Sequence, residues 1–528
     1  MQSARWAAWA DARGFPAEFG RSAPSVQRRL SDEPAAETFG WTRRVGGRLG
    51  PTVRLPAGTY SDDTQLRLAT SRCIRSTGRF DVECFSKIEL PVFLAYGLGM
   101  GRGTRAAAQH LGRRTSRWNS NFFDVRASRY VEGGGNGAAM RIQPHVWASR
   151  GGDDQLLPDV LRNAVTTHGH PRGILGAAFH ALSLRDALRS GTIPAPHDWN
   201  GLVQRTARVP EVMSGDEALV ERWIPFWEQA TGRPWPRAAA VTANEIEQFV
   251  ATAARASAAS GSLADRYERL CARLGAFDPE SRGAGHLSAV LALWLAWEGR
   301  DRPLEALVAA AELRGSDTDT IATMAGAILG TTLDFSPPGS LLDDALHERE
   351  ATRLWSIGRG ADVDDFTHPD QLRWEAPVTQ SDVVGSVDGT LAIAGLGPAT
   401  AIAEADGDRG DGFRWQWLRL SFGQTILAKR RETPPALDES QLPVASARKI
   451  TSPRLVADAR PARASHQAHV ASPSDIERAV DLVVASRFDA VLIGRLTTQF
   501  ARMEHGANLA AAFAGLVANR LRVAERDA

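Results

Sequence analysis

The sequence predicts a mainly α-helical globule with a smaller C-terminal extension that contains both strands and helices. Apolar residues recur at three- and four-residue steps from about residue 62 to 335, which is the period of a helix with one buried face. Strand-like alternation is nearly absent from that region, so an all-helical domain is expected there. After about residue 340 the pattern changes, and short alternating runs typical of half-buried strands appear.

Residues 1–338 are predicted to form one helical domain. A chain of 528 residues can bury a large core, and the helix breakers Ser336-Pro337-Pro338-Gly339 end the periodic region. The helical period is clearest in four stretches: Gln65–Ile74, Ala289–Trp297, Leu304–Leu313 and Ile321–Ile328.

The remainder of the chain is predicted to contain a linker at 339–373, a small strand-rich module at 374–432, a linker or extended wrap at 433–475 and C-terminal helices at 476–528. In the strand-rich module, Phe413, Trp415 and Trp417 alternate with polar residues, and Asp406–Gly412 predicts a hairpin loop. Residues 433–475 are rich in Pro, Ala and Ser and lack periodicity, which is typical of a linker.

Composition excludes several classes of protein. Hydrophobic residues make up 43% and charged residues 23% of the chain, and the formal net charge is +1, which favours neither nucleic acid nor a membrane surface as the main partner. The positive charge is nearly all arginine, as in GC-rich bacterial coding sequences. The three cysteines lack metal-type spacing and predict reduced thiols in a cytoplasmic protein. We expect no signal peptide and no membrane helix.

Two short acidic segments precede predicted helices: Tyr60–Thr64 and Gly315–Thr320. If they converge, four aspartates with Ser61 and Thr320 offer a dense set of hard oxygen ligands, which select Mg²⁺, Mn²⁺ or Ca²⁺. The alternative is that each segment only caps its helix, since Ser and Asp are favoured N-cap residues. Capping needs a single side chain, whereas adjacent carboxylates repel each other unless a cation offsets the repulsion.

Two further segments suggest ligand contacts. Gly133–Arg141 is a glycine-rich turn that would let backbone N–H groups approach a phosphate, or it is a flexible surface loop. Thr166–Pro171 carries His168 and His170 at a helix start. These histidines are more easily explained as ligand contacts, or as ordinary core or capping residues, than as zinc ligands, because no Cys or His cluster accompanies them in sequence.

The order of these motifs resembles the ADP-ribosylglycohydrolase family, over roughly residues 1–335. The acidic segments, the glycine turn and the histidine segment are four of the six motifs; the other two are an N-terminal signature and a Gly-x-Gly-x-x-Thr-Arg segment. Ala10 stands where the N-terminal signature begins with glycine, which casts doubt on the local turn, and Ser61 stands for a threonine while keeping the hydroxyl. The six segments are Ala10–Phe19, Ser61–Thr64, Gly99–Ala107, Gly135–Arg141, Thr167–Pro171 and Gly315–Ala322.

The resemblance implies an all-helical fold and a dinuclear site holding two Mg²⁺ or Mn²⁺ ions. It implies that the metal ligands are Ser61, Asp62, Asp63, Asp317, Asp319 and Thr320. It also implies that ADP-ribose contacts Gly135, Asn136, Gly137, His168 and His170, with the glycine turn at the phosphates.

The activity implied is hydrolysis of the N- or O-glycosidic bond between ADP-ribose and an acceptor, which reverses ADP-ribosylation. The transition state is oxocarbenium-like, and one carboxylate must handle protons. The candidates are Asp62 and Asp63, with Glu18 as a further candidate whose simpler interpretation is a surface or capping carboxylate. The acceptor (a protein side chain, a nucleic acid or a small molecule) and the oligomeric state are left open.

Two alternatives remain. The scaffold could serve a non-catalytic ADP-ribose-binding or structural protein, although retaining four clustered aspartates favours the enzyme. Trp415 and Trp417, followed by four basic residues, could contact a partner or single-stranded nucleic acid by stacking and charge. They could equally form a small β core with a solvated basic strand end. The basic residues are Arg419, Lys429, Arg430 and Arg431.

Overall fold

The computed structural model describes residues 1–19, 37–47, 50–126, 128–404, 412–443, 473–486, 488–503 and 506–526. The chain divides into two compact units. The first combines Met1–His368 with Glu375–Pro443, and the second combines Pro369–Trp374 with Val444–Ala528. Within the described ranges, no helix has the length and apolar character needed to cross a bilayer.

Helices dominate the first unit, and the predicted mainly α-helical fold class is confirmed. Each of the four stretches with clear helical period lies largely within an observed helix. The α-helices of this unit are Gln2–Phe19, Asp62–Arg72, Val82–Cys84, Leu90–Phe93, Arg102–Leu111, Gln143–Trp147, Asp153–Val165, Pro171–Ser190, Trp199–Ala207, Val209–Ser214, Ile224–Thr231, Trp235–Ser257, Leu263–Leu274, Gly285–Glu298, Pro303–Glu312, Thr318–Leu329 and Asp344–Gly358.

The N-terminal helix (Gln2–Phe19) packs very closely against the Thr318 helix (Thr318–Leu329). A Cβ atom on Gly14 would lie 2.3 Å from the carbonyl oxygen of Thr318, and one on Gly326 would lie 2.7 Å from that of Trp6. Both positions therefore require glycine, because a side chain would push the two backbones apart. The Thr318 hydroxyl also donates to the Gly14 carbonyl at 3.0 Å. This contact fixes the start of the Thr318 helix against the N-terminal helix.

The N-terminal signature contains no turn at Ala10. Ala10 is buried inside the N-terminal helix, so alanine in place of glycine suits the helical backbone there and the doubt about a turn is removed.

Among the described residues of the first unit, strands form three antiparallel sheets. The hairpins are Trp41–Arg44 with Thr52–Leu55 and Asp124–Val125 with Ser128–Arg129. The five-stranded sheet is a meander in which every strand pairs with its sequence neighbour. Its strands are Val384–Val387, Thr390–Ile393, Gly397–Glu404, Phe413–Leu420 and Thr425–Arg431.

Along the fourth strand, buried and exposed side chains alternate only in part. Trp417 is buried and Trp415 is half-buried, but Gln416 between them is buried too, because its Oε1 accepts a hydrogen bond from Arg430 Nε at 2.5 Å. Trp417 packs in one cluster with Phe15 and Trp41, so the sheet shares a core with the helical domain. Contact between this region and a nucleic acid or another partner stays a prediction.

The segment 339–373, treated above as a linker, contains the helix Asp344–Gly358. Asp343 precedes this helix and joins three elements. Its carboxylate accepts hydrogen bonds from the Tyr60 hydroxyl at 2.7 Å and from the Thr425 backbone N–H at 2.6 Å. Residues 405–411 of the expected hairpin loop, and 444–472 of the expected second linker, lie outside the described residues.

The second unit is helical from Pro473 onward in its described part. Its helices are Pro473–Ala485, Ala490–Ala501 and Gly506–Arg526. Val483, Phe500 and Phe513 are buried together with Leu372. Gln499 Nε2 donates to Asp370 Oδ1 at 2.7 Å, which attaches the short segment Pro369–Trp374 to the second of these helices.

Candidate functional site

The first acidic segment forms the start of the Asp62 helix (Asp62–Arg72). Ser61 is the N-cap, and its hydroxyl oxygen accepts the backbone N–H of Asp63 at 3.2 Å. The hydroxyl also donates to Asp63 Oδ2 at 3.1 Å. Capping thus accounts for Ser61, as the simpler interpretation expects, but it leaves the carboxylates of Asp62 and Asp63 unexplained.

Asp11 on the N-terminal helix also holds this helix start. Its Oδ1 accepts the backbone N–H of Ser61 at 2.9 Å, and its Oδ2 accepts that of Thr64 at 3.0 Å. Asp11 is fully buried, and burial raises its pKa while these hydrogen bonds lower it. Two N–H groups left free at a helix start are therefore satisfied by a carboxylate from another helix.

The second acidic segment forms the start of the Thr318 helix and meets the first. Asp317 is the N-cap, and Asp319 Oδ1 accepts the backbone N–H of Thr320 at 2.9 Å. The Thr320 hydroxyl donates to Asp63 Oδ2 at 3.3 Å, across 257 positions of the chain. The two segments therefore converge on one another.

Carboxylates crowd at this junction. Oxygens of Asp11, Asp63 and Asp319 lie within 4.8 Å of one another, and all three residues are buried. Burial, followed by the neighbouring carboxylates, raises the pKa of Asp63 and of Asp319 well above the ordinary value. Among the described residues, Asp63 Oδ1 has no hydrogen-bond partner. A buried carboxylate oxygen without a donor, among other carboxylates, fits a hard divalent cation.

Asp62 and Asp63 each have an arginine nearby, Arg43 for Asp62 and Arg67 for Asp63. Burial and the Asp11 carboxylate raise the pKa of Asp62 to about 7, while Arg43 opposes the shift. Arg43 lies on the strand Trp41–Arg44. Burial lowers the pKa of Arg43, while the carboxylates of Asp62 and Asp319 raise it. An arginine thus offsets part of the negative charge at the site.

Asn136 in the glycine turn contacts the second acidic segment directly. Its Nδ2 donates to Asp317 Oδ2 and to the Ser288 hydroxyl, at 3.0 Å in each case. The side-chain amide therefore orients a candidate metal ligand. This is a different task from the ADP-ribose contact that the resemblance implies for Asn136.

The backbone of the glycine turn is largely engaged within the protein. The N–H groups of Gly133, Gly134 and Asn136 donate to the carbonyls of Tyr130, Glu132 and Gly283. Among the glycine N–H groups of this turn, those of Gly135 and Gly137 are not engaged in these bonds. The turn is not a loose surface loop, because its backbone pairs with Gly283 and Gly285.

The two candidate histidines lie in different environments. His168 is buried beneath the turn: a Cβ on Gly137 would lie 3.1 Å from its Cε1, and its Nδ1 bonds the Thr167 hydroxyl at 2.7 Å. Burial lowers the pKa of His168 to about 3, so its imidazole is neutral. His170 instead caps the helix Pro171–Ser190, with Nδ1 accepting the Arg172 N–H at 3.1 Å.

Glu18 lies in the last turn of the N-terminal helix. A carboxylate there cannot act as a helix cap, because the free backbone N–H groups are at the other end of the helix. Its Oε1 accepts Arg282 Nη2 at 2.6 Å, and its side chain is 16% exposed. It is thus an ion-paired residue at the cavity wall rather than an open surface carboxylate.

A cavity of about 610 Å³ lies over the acidic cluster. Its floor is acidic and one wall is the glycine turn. The Gly99–Thr104 segment at the start of the helix Arg102–Leu111 also lines the cavity, and Thr104 lies next to the glycine turn: a Cβ on Gly137 would be 3.2 Å from its hydroxyl oxygen. Residues of the floor and walls include Asp62, Asp63, Asp317, Asp319, Thr320, Gly135, Asn136, Gly137, His168 and Glu18. Ser61 and His170 are not among these lining residues; each lies at a helix start, in the capping contact described above.

Sequence reasoning missed Asp11, Arg43 and Arg282. A signal exists for Asp11 alone: it is a carboxylate in the apolar run Ala7–Ala12, and a charge on a buried helix face needs a partner. Arg43 and Arg282 resemble the many other arginines of this chain, and only packing brings them to the carboxylates.

Comparison with known proteins identifies a family. A family model described as ADP-ribosylglycohydrolase matches residues 7–348. The ADP-ribosyl-[dinitrogen reductase] glycohydrolase of Rhodospirillum rubrum is 34% identical over 142 residues, which are 26% of this chain and 43% of that protein. The match thus spans less than half of that relative. A solved chain described as an ADP-ribosylglycohydrolase-related protein complex is 20% identical with a TM-score of 0.37, over 68% of this chain and 99% of that one.

Proposed function

Because the chain belongs to the ADP-ribosylglycohydrolase family, as its motif order predicts, we propose that it hydrolyses the glycosidic bond between ADP-ribose and an acceptor, with Mg²⁺ or Mn²⁺. The observation that carries the proposal is the hydrogen bond between Thr320 and Asp63. It joins two acidic segments from distant parts of the chain at the floor of a cavity.

Two metal ions would be held by Ser61, Asp62, Asp63, Asp317, Asp319 and Thr320. Asp11 supports these ligands by holding the start of the Asp62 helix with its two hydrogen bonds. When bound, divalent ions of this kind polarise oxygen atoms and lower the pKa of water. The unpartnered Asp63 Oδ1 and the raised carboxylate pKa values support this ligand set.

The cavity suits ADP-ribose in size and in its wall chemistry. Ligand cavities commonly measure about 300–1,000 Å³, and this one measures about 610 Å³. We place the diphosphate between the N–H groups of Gly135 and Gly137 and the start of the helix Arg102–Leu111, where Arg102 adds positive charge. The neutral imidazole of His168 would contact the ribose or a phosphate as a hydrogen-bonding group rather than as a cation.

Proton transfer falls to a carboxylate near the anomeric carbon. Asp62 is the first candidate, because it lines the cavity where the two acidic segments meet. Asp63 is the second. Glu18 is the third; its carboxylate, paired with Arg282 at the cavity wall, would stabilise positive charge developing on the sugar.

The acceptor and the cellular location belong to the same proposal. The name of the Rhodospirillum rubrum relative places ADP-ribosylated dinitrogen reductase as that enzyme's substrate, so an ADP-ribosylated protein is the first class to test here. We propose a cytoplasmic site of action, because all three cysteines are free and buried, as in proteins of reducing compartments.

The experiment is an assay of ADP-ribose release by the full-length protein. ADP-ribosylated arginine, serine, DNA and RNA substrates are each tested with Mg²⁺, with Mn²⁺ and with chelator. We expect release from at least one substrate, loss of release with chelator, and a fall of at least about 100-fold in Asp317→Ala and Asp319→Ala.

The matched control is Asp301→Ala, since Asp301 has a side chain 79% exposed and away from the cavity. Turnover that persists within a few-fold in Asp317→Ala and Asp319→Ala would overturn the metal assignment. Two bound metal ions with no hydrolysis of any substrate would favour the non-catalytic ADP-ribose-binding alternative.

A further inference from the structure

A second cluster of metal-type ligands lies at the other end of the Asp62 helix. Cys73 is the C-cap of that helix, Cys84 ends the short helix Val82–Cys84, and His368 lies in the irregular segment after residue 360. One ligand atom from each residue lies within 4.8 Å of the other two, and all three residues are buried. Cys73 and Cys84 are 11 positions apart, and Cys84 and His368 are 284 positions apart, so the sequence spacing does not predict this cluster.

The imidazole of His368 is held in one orientation. Its Nε2 and Glu89 Oε1 are hydrogen-bonded at 2.9 Å. Glu89 is held in turn by Arg72, whose Nε and Nη2 donate to its two oxygens at 2.7 and 2.8 Å. Among the described residues, Nδ1 of His368 has no hydrogen-bond partner although the side chain is only 2% exposed. Nδ1 is therefore the nitrogen available to the two sulfurs.

We propose that Cys73 Sγ, Cys84 Sγ and His368 Nδ1 form a binding site for one soft d¹⁰ metal ion, Zn²⁺, distinct from the carboxylate site. Thiolate and imidazole are the ligands that zinc takes in proteins, whereas Mg²⁺ and Mn²⁺ prefer oxygen. The Glu89–His368 pair matches the carboxylate–histidine arrangement that commonly supports a zinc ligand.

The geometry needs only a small adjustment. Ligands about 2.3 Å from a tetrahedral zinc lie about 3.8 Å from one another. The three atoms here lie within 4.8 Å of one another, so they would close by about 1 Å at most to hold the ion. Three protein ligands leave a fourth position for water.

The charges also balance. Two thiolates neutralise one Zn²⁺, and the neighbouring Arg72 and Glu89 neutralise each other, so the buried site carries no net charge.

The site would act on the helix that carries the first acidic segment. The Asp62 helix has 11 residues, so Cys73 lies roughly 16 Å from Asp62 along the helix axis. A metal at Cys73 would fix the C-terminal end of this helix to Cys84 and His368. The role is structural, since the three ligands are buried away from the cavity over the carboxylates.

The experiment measures zinc retention by the reduced full-length protein. The protein is stripped with chelator, incubated with Zn²⁺ in the presence of excess Mg²⁺, desalted, and analysed for metal content. We expect one Zn²⁺ per chain in the wild type and its loss in Cys73→Ser and in Cys84→Ser. Co²⁺ in place of Zn²⁺ should give thiolate-to-cobalt charge-transfer absorption in the wild type and not in these variants.

Cys271→Ser is the matched control, because Cys271 is also a free buried cysteine but lies outside the cluster. It should retain zinc, as should Asp319→Asn, which alters only the carboxylate site. If the serine variants fail to fold, titrating wild-type thiols with a mercurial should release zinc in step with two thiols.

Three outcomes would overturn the proposal. The first is a wild-type protein that retains no zinc. The second is zinc retained equally by the wild type and by soluble Cys73→Ser and Cys84→Ser variants. The third is a Cys73–Cys84 disulfide, seen as a mass lower by two hydrogens, in protein purified without reductant. None of these outcomes depends on hydrolase activity.

Discussion

Asp11 accepts the backbone N–H of Ser61 at 2.9 Å, so a carboxylate from the N-terminal helix holds the first acidic segment fifty positions later in the chain. Its second oxygen accepts the N–H of Thr64 at 3.0 Å. The start of the Asp62 helix is thus clamped from outside, and the orientation of Asp62 and Asp63 depends on the packing of another helix.

Asp11→Ala should therefore impair metal binding as well as stability. It leaves two buried N–H groups unpaired, and each such group costs about 1–3 kcal/mol. We expect weaker Mg²⁺ binding, by about 10- to 100-fold as for other residues that orient metal ligands, measured by calorimetry. Asp11→Asn keeps one acceptor oxygen and should lose less. Equal Mg²⁺ affinity in the wild type and in Asp11→Ala would contradict the clamp.

Asn136→Ala should reduce Mg²⁺ affinity through Asp317. The variant removes the donor that holds Asp317 Oδ2 at 3.0 Å, and loss of such an orienting contact typically costs about 10- to 100-fold. Ser288→Ala is the control, because it removes the other partner of Asn136 Nδ2 and leaves the bond to Asp317. A larger loss in Ser288→Ala than in Asn136→Ala would show that the amide has another role.

Gly14→Ala should destabilise the protein. The added Cβ would lie 2.3 Å from the Thr318 carbonyl oxygen, and overpacking of this kind typically costs about 1–3 kcal/mol. Gly201→Ala is the control: Gly201 is also helical, but nothing lies within 4 Å of its added Cβ. The control should be neutral or more stable by about 0.5–1 kcal/mol. Urea unfolding curves measure both, and a neutral Gly14→Ala would exclude the close helix contact.

The metal-free protein should lose stability as pH rises from about 4 to about 7. The pKa of Asp62 is 3.8 ordinarily and about 7 in the folded protein, so between these values the folded state binds more protons than the unfolded state. Its contribution to stability is therefore present below the unfolded pKa and declines through this window, on the order of a few kcal/mol. Urea unfolding at pH 5 and pH 8 in chelator measures the effect.

Mg²⁺ should reverse this trend, because it binds the deprotonated carboxylates. We expect a larger rise in unfolding temperature with Mg²⁺ at pH 8 than at pH 5. Asp62→Asn should flatten the pH dependence in chelator, since the amide does not titrate. A metal-free wild type that gains stability between pH 5 and pH 8 would contradict the assigned burial of these carboxylates.

The local features of this chain were predictable. The three- and four-residue period predicted the helices, and the Ser and Asp residues of the two acidic segments predicted N-caps; the structure places the caps at Ser61 and Asp317. The motif order predicted the family, which the match over residues 7–348 confirms. The strand at Phe413–Leu420 was predicted as well, but the burial of Gln416 was not, because it depends on a partner, Arg430, from the next strand.

By itself, the sequence determined which segments are helical and which carry hard oxygen ligands, because period, capping and ligand chemistry are properties of neighbouring residues. Only the tertiary structure decided that Thr320 reaches Asp63, that Asp11 supports Ser61 and that Cys73, Cys84 and His368 meet. These contacts join residues far apart in the chain. Their distances are set by how closely helices pack, down to the absence of a single Cβ at Gly14, and no local pattern records that.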